Sequence, residues 1–162
     1  MVPCQSGSRR RSSSKMQQFK IENFLRENPG IPAPKFRPLT DLEVSELVGR
    51  LLLKAGSPRG TPQEIMLWFS GHASPIPDID LDKNEVPLKD LFAKAGITPS
   101  SLLYLQWGAL RDIDQFKADD LFKYLYEVWY PGADDVEIFD DSLAWMMLLR
   151  HYGIVEVWYP VV

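Results

Sequence analysis

Between Val136 and Tyr159 three short apolar runs are separated by turn-forming residues. Val136 to Asp140 reads as one strand, Asp141-Ser142 as a turn, and Trp145 to His151 as a second strand. Tyr152-Gly153 reads as a tight turn before a third strand, Ile154 to Tyr159. Strands this short hold only when an apolar face is packed, so the rest of the chain must supply the cover. We therefore expect an α+β fold: a mixed, mainly antiparallel sheet that ends in this C-terminal meander and is packed by helices. With a two-residue turn, His151 lies opposite Ile154 and Leu149 opposite Glu156. His151 and Glu156 are then diagonal neighbours on one face.

The covering helices carry their own start and stop signals. Thr40 and Glu43 form a capping box, with Leu39 and Val44 as its hydrophobic staple, and Leu47, Val48, Leu51 and Leu52 continue the stripe to Gly56. This places a helix at about 41–55. Thr61-Pro62-Gln63-Glu64 repeats the start logic, but Ile65 to Phe69 reads equally well as a helix or a buried strand. Pro87 opens and Gly96 closes a helix carrying Leu88, Leu91 and Phe92. Residues 116–130 give another, with Asp119, Lys123 and Glu127 spaced to pair on its outer face, and Pro131-Gly132 ends it. Phe19 to Leu25 suggests a short first helix, stopped by Asn28-Pro29-Gly30. Leu102 to Trp107 reads as a buried strand, and the alternation Asp78-Ile79-Asp80-Leu81-Asp82 as a short half-wet one.

Residues 1–15 are rich in Ser and Arg and poor in apolar side chains, which predicts a disordered basic tail before one globular domain at 16–162. Met16 is a candidate start of the native chain. No apolar run reaches the length of a membrane helix, and no apolar stretch follows the basic residues as in a secretory signal. The single cysteine, Cys4, lies in the tail, which fits a reducing, cytoplasmic setting. The charge is uneven. The chain carries −4 overall, yet the ten acids between Asp112 and Asp141 face only Lys117 and Lys123. Aromatic residues are plentiful, but with an acidic body and no basic stripe the chain repels phosphates, which argues against a nucleic-acid partner.

No catalytic or cofactor signature emerges. His72 and His151 are the only histidines, too few for a zinc set unless carboxylates complete it. Asp78, Asp80 and Asp82 imitate the start of a calcium loop, but Lys83 and Lys89 stand where that loop needs glycine and glutamate. Phe69-Ser70-Gly71-His72 places a serine near a histidine without the strained elbow of a nucleophile. The ten glycines are scattered singly, so no phosphate cradle forms and no cofactor is implied.

The acidic pairs Asp134-Asp135 and Asp140-Asp141 flank a single strand that itself contains Glu137. Clustered like charges repel, and a basic partner is one reason to keep them. The segment Trp129-Tyr130-Pro131-Gly132-Ala133-Asp134-Asp135 through Phe139-Asp140-Asp141-Ser142-Leu143-Ala144-Trp145, followed by His151-Tyr152-Gly153, resembles the C-terminal part of small bacterial proteins of the immunity type. The resemblance implies a fold more than an activity, and together with the charge count it points to a non-enzymatic role: capture of a basic, toxin-like protein. Asp134, Asp135, Asp140, Asp141 and Glu137 would be the contact residues, with no catalytic residue implied. Two alternatives remain at this point. One is a metal-dependent or hydrolytic enzyme centred on His72 or on His151 with Glu156, and the other is a cytoplasmic scaffold domain.

Overall fold

The computed structural model describes residues 15–161. The basic tail expected over 1–15, with Cys4, lies outside them except for Lys15, which opens the first helix. Five helices and seven strands follow in the order α1 (Lys15–Glu27), β1 (Phe36–Pro38), α2 (Asp41–Lys54), α3 (Pro62–His72), β2 (Ser74–Pro75), α4 (Leu88–Ala95), β3 (Leu102–Gly108), β4 (Asp112–Lys117), α5 (Ala118–Val128), β5 (Val136–Phe139), β6 (Met146–Leu149) and β7 (Val155–Trp158). The strands form one sheet in the order β1-β4-β3-β5-β6-β7-β2. The class is α+β. Every pairing is antiparallel, so the sheet is more regular than the mixed one expected. No described helix is long and apolar enough to cross a membrane.

Period-two alternation divides the strands between two helical layers. Val136 and Ile138 of β5, Met147 and Leu149 of β6, and Val155 and Val157 of β7 pack with α4 and α5 through Leu88, Leu91, Phe92, Leu121 and Leu125. Phe139, Met146, Leu148 and Trp158 point the other way, onto Val44, Leu47 and Leu51 of α2 and Ile65 and Phe69 of α3. With helices on both faces the central strands are buried throughout, and β5 and β6 expose no residue. Each large apolar side chain so buried contributes about 1.5–3 kcal/mol.

Both capping boxes form as expected. Thr40 Oγ1 accepts from Glu43 N at 3.2 Å while Glu43 Oε2 accepts from Thr40 N at 2.8 Å. Thr61 and Glu64 do the same at the start of α3, which settles 65–69 as helix. Several expectations need correction. The helix expected at 116–130 starts at Ala118, because Asp112 to Lys117 pair as β4 along β3. The ion pairs expected among Asp119, Lys123 and Glu127 are absent among the described residues. There α5 kinks at Tyr124 (φ −121°, ψ 15°), and Lys123 Nζ instead lies 5.0 Å from the Tyr124 ring. Asp78 to Asp82 is not a strand but a run of turns. Asp80 accepts from the Asp82 N–H, and buried Leu81 pins the loop through its own N–H to Gly153 O at 2.9 Å.

The turn between β6 and β7 corrects the register. It has three residues, with Gly153 in the left-handed region at φ 91° and Arg150 N donating to Ile154 O at 3.0 Å. Leu148, not Leu149, is therefore paired with Glu156. A one-residue slip moves a side chain to the opposite face of the sheet, so this detail decides where Glu156 points.

Candidate functional site

Four residues in register form a row across the face covered by α2 and α3. Gln106 of β3 pairs with Glu137 of β5, Glu137 with Leu148 of β6, and Leu148 with Glu156 of β7. Arg150, two residues beyond Leu148, returns to the same face. This row is the polar interruption in an otherwise apolar layer.

Its groups satisfy one another. Arg150 donates from Nη1 to Glu137 Oε1 at 3.2 Å, from Nε to Glu156 Oε2 at 3.2 Å, and from Nη2 to Ser70 Oγ on α3. Gln106 donates from Nε2 to Glu137 Oε2 at 2.6 Å, and its Oε1 accepts from Gly108 N and Leu110 N, closing the β3–β4 turn. Gln106, Glu137 and Arg150 are all buried. Burial raises the Glu137 carboxyl to about 7, with the nearby Asp135 charge adding to the rise and Arg150 only partly opposing it.

Above this floor lies a cleft of about 480 Å³ between α3 and the ends of β3, β5 and β6. Met66, Leu67 and Ser70 of α3 form one wall, Trp107 and Ala109 the second, and Tyr152 closes the end, while Asp135, Glu137 and Arg150 supply the charge. Leu67 and Tyr152 stand 72% and 52% exposed at the rim. Arg150 is the only base in that lining, against Asp135 and Glu137.

The residues singled out in the sequence divide among several places. Asp135 and Glu137 line the cleft, and Glu156 supports it through Arg150. His151 does not adjoin Glu156 as expected, because the three-residue turn carries it out of the strand. Its N–H donates to Asp135 Oδ1 at 2.7 Å, and its ring Nδ1 lies 2.8 Å from the same oxygen. The other acids serve nearby structure. Asp134 holds Lys20 at 2.6 Å, and Asp141 holds Arg50 at 2.7 Å. Asp140 is buried and accepts from Ser142 N and Ser100 N, each at 3.0 Å. His72 ends α3 in a different hollow with Trp158 and Tyr159, its ring stacked 4.0 Å from Trp68. No group of three or more His, Cys, Asp or Glu is placed to hold a metal among the described residues.

Sequence reasoning missed Gln106, Arg150, Ser70 and Trp107. A signal existed for two of them: Gln106 and Arg150 are polar residues interrupting or ending buried apolar strands, at the same alternation as Glu137. Ser70 stood out only as a serine beside His72 and Trp107 only as the end of a strand, and the packing of α3 against β3 is what joins them at the cleft. Comparison of the chain with protein-family models, with curated proteins and with solved structures finds no match.

Proposed function

We propose that this protein is a non-enzymatic binding domain that holds a basic segment of a protein partner in the cleft beside α3, as an immunity protein holds a toxin. The observation that carries this reading is the composition of the cleft. Asp135 and Glu137 lie at its floor, Arg150 is its one base, and Leu67 and Tyr152 are exposed at its rim. A charged centre ringed by apolar and aromatic side chains suits a lysine or arginine with its aliphatic stem. The excess acid between Asp112 and Asp141 adds a field that speeds capture of a cationic partner, although Lys20 and Arg50 offset the charges of Asp134 and Asp141 and leave buried Asp140 among the contributors. On this reading capture takes place in the cytoplasm and blocks the partner's own anionic substrate.

The test is a pull-down from the native host with the wild-type protein, Asp135→Asn and Tyr152→Ala, washed at rising salt. A basic protein held by the wild type, released by salt and lost from both variants supports the reading. A partner retained equally by all three overturns it.

One observation favours a second reading, a hydrolytic enzyme. Asp135 orients the His151 ring through Nδ1 at 2.8 Å, the arrangement that prepares an imidazole as a base. Full function in His151→Ala would remove this reading.

A further inference from the structure

Lysine is almost never fully buried unless its charge is matched, yet Lys20 of α1 is only 3% exposed. Its ammonium donates to Asp134 Oδ2 at 2.6 Å and lies 4.0 Å from the ring centroid of Trp107 and 5.0 Å from that of Tyr130. The three receiving groups all belong to the body of the protein: Trp107 to β3, and Tyr130 and Asp134 to the segment between α5 and β5. Trp107 and Asp134 are held there by contacts within the body, while the Tyr130 hydroxyl also accepts from Asn23 Nδ2 of α1 at 3.2 Å. Trp107 Nε1–H donates to Asp114 Oδ2 at 2.9 Å, Tyr130 N donates to Asp134, and Trp129 Nε1–H fixes the Asp134 carbonyl at 2.7 Å. Asp114 is itself buried, so a carboxyl fixes the edge of the indole whose face meets the cation.

The helix that brings Lys20 is lightly attached. Phe24 is buried, edge-on to Tyr124 at 5.3 Å, but Phe19 and Leu25 are 55% and 48% exposed. None of the described side chains of α1, residues 18–27, belongs to either core cluster. Burial pushes the Lys20 ammonium downward in pKa, and the hydrogen bond and charge of Asp134 oppose the fall. Elements with few buried apolar side chains open at low free energy.

We propose that Trp107, Tyr130 and Asp134 form a binding site for a lysine-type ammonium, that Lys20 is its tethered resident, and that a lysine of the protein partner takes its place when α1 lifts. Trp107 is shared with the cleft, so a partner lysine entering the cage extends a surface already open beside it. The single short contact to Asp134 selects a primary ammonium. A quaternary ammonium has no N–H to give, and a guanidinium favours a two-point carboxylate contact. The identity of the partner rests on the reading of the cleft, whereas the chemistry of the cage does not.

The test uses the full chain and no partner, so its failure is separate from failure of the cleft reading. Lys20→Ala removes the atoms of n-propylammonium. That salt is titrated against tetramethylammonium and sodium at equal ionic strength while the Trp107 indole N–H is followed by NMR. The expected result is saturable binding to Lys20→Ala at least about tenfold tighter than tetramethylammonium, none to the filled wild type, and loss in Lys20→Ala/Asp134→Asn. Hydrogen exchange of amides 19–27 should also run about tenfold or more faster in Lys20→Ala than in wild type, with β5 and β6 unchanged. Should Lys20→Ala fail to fold, Lys20→Met keeps the stem and the same exchange difference is expected. Propylammonium binding no tighter than sodium, or α1 exchange unchanged by loss of the ammonium, overturns the proposal.

Discussion

Glu137 Oε1 lies 3.2 Å from Arg150 Nη1, and fewer than one tenth of either side chain reaches solvent. Arg150 stands two residues beyond Leu148, the residue paired with Glu137 on the adjacent antiparallel strand, so the contact is diagonal and depends on the long guanidinium stem. Removing two charges from water is costly, and mutual attraction recovers the cost only when the remaining donors and acceptors are also met. Here they are, by Gln106, Ser70 and Glu156. The arrangement is therefore asymmetric toward mutation.

Arg150→Met leaves Glu137 and Glu156 without their shared cation, and we expect a loss of about 3 kcal/mol or more. Glu137→Gln leaves Arg150 paired with Glu156 and Ser70, and we expect a smaller loss of about 1 kcal/mol. Urea unfolding of the two variants checks the order. Equal losses would mean that Arg150 does not neutralise Glu137 in the folded state.

The same carboxyl gives a pH signature. Its folded value is raised to about 7, whereas the unfolded chain ionises in the usual carboxylate range. Between those values the folded state holds a proton that the unfolded state has released, so stability falls as pH rises through the window and levels above it. Asp114, raised to about 6 by burial against the partial relief of the Trp107 N–H, acts in the same direction over a narrower window. Unfolding midpoints measured from pH 4 to 8 should decline toward neutrality less steeply in Glu137→Gln than in wild type, and Asp114→Asn should flatten the lower part.

The parts of the fold legible in the sequence were those written locally. Thr40 with Glu43 and Thr61 with Glu64 specify their helices within four residues, and Gly96 ends α4 at φ 68°. What escaped depends on long-range pairing. Phe116 and Lys117 read as the start of the following helix and Asp112 to Gln115 carried no strand signal, because only β3 and β1 on either side make the segment a strand. The register of β7 turned on whether Tyr152-Gly153 or His151-Tyr152-Gly153 forms the turn. The sequence permits both, and the Asp135 carboxylate receiving the His151 N–H stabilises the longer one. The acidic residues were legible as a charge excess, but their partners Lys20, Arg50 and Ser100 lie far away in the chain, so their division into separate sites was not.

Gly153 is where that turn meets the loop at Asp80 to Asp82. At φ 91° a Cβ would stand 2.6 Å from Asp80 Oδ1 and 2.7 Å from the Asp82 N, and the glycine carbonyl already accepts from Leu81 N. Gly153→Ala combines a disfavoured backbone conformation with a clash against backbone, and we expect a loss of at least about 1 kcal/mol. Because the turn also carries Arg150 and Tyr152, the cleft should be disturbed with it. Unfolding experiments give the first effect, and NMR shifts around Glu137 the second. A variant as stable as wild type would show that the Asp80 loop does not brace the turn.

Leu67 and Tyr152 separate binding from folding. Both are largely exposed at the cleft rim, so neither contributes much to the core, and substitution of either by Ser should change stability by no more than about 0.5 kcal/mol. If the cleft is the binding surface, an aromatic rim anchor accounts for about 2 kcal/mol of affinity, and Tyr152→Ser should weaken capture of the basic partner by more than tenfold. Leu67→Ser should act in the same direction. Leu42, 68% exposed on α2 and outside the cleft lining, provides the control, and Leu42→Ser should leave capture unchanged. Salt then divides the contributions: raising it should weaken wild type and Tyr152→Ser in proportion, because the rim is apolar and the same charged groups line the cleft in both. Loss of capture in the Leu42 control to the same extent would place the binding surface elsewhere and remove the cleft from the mechanism.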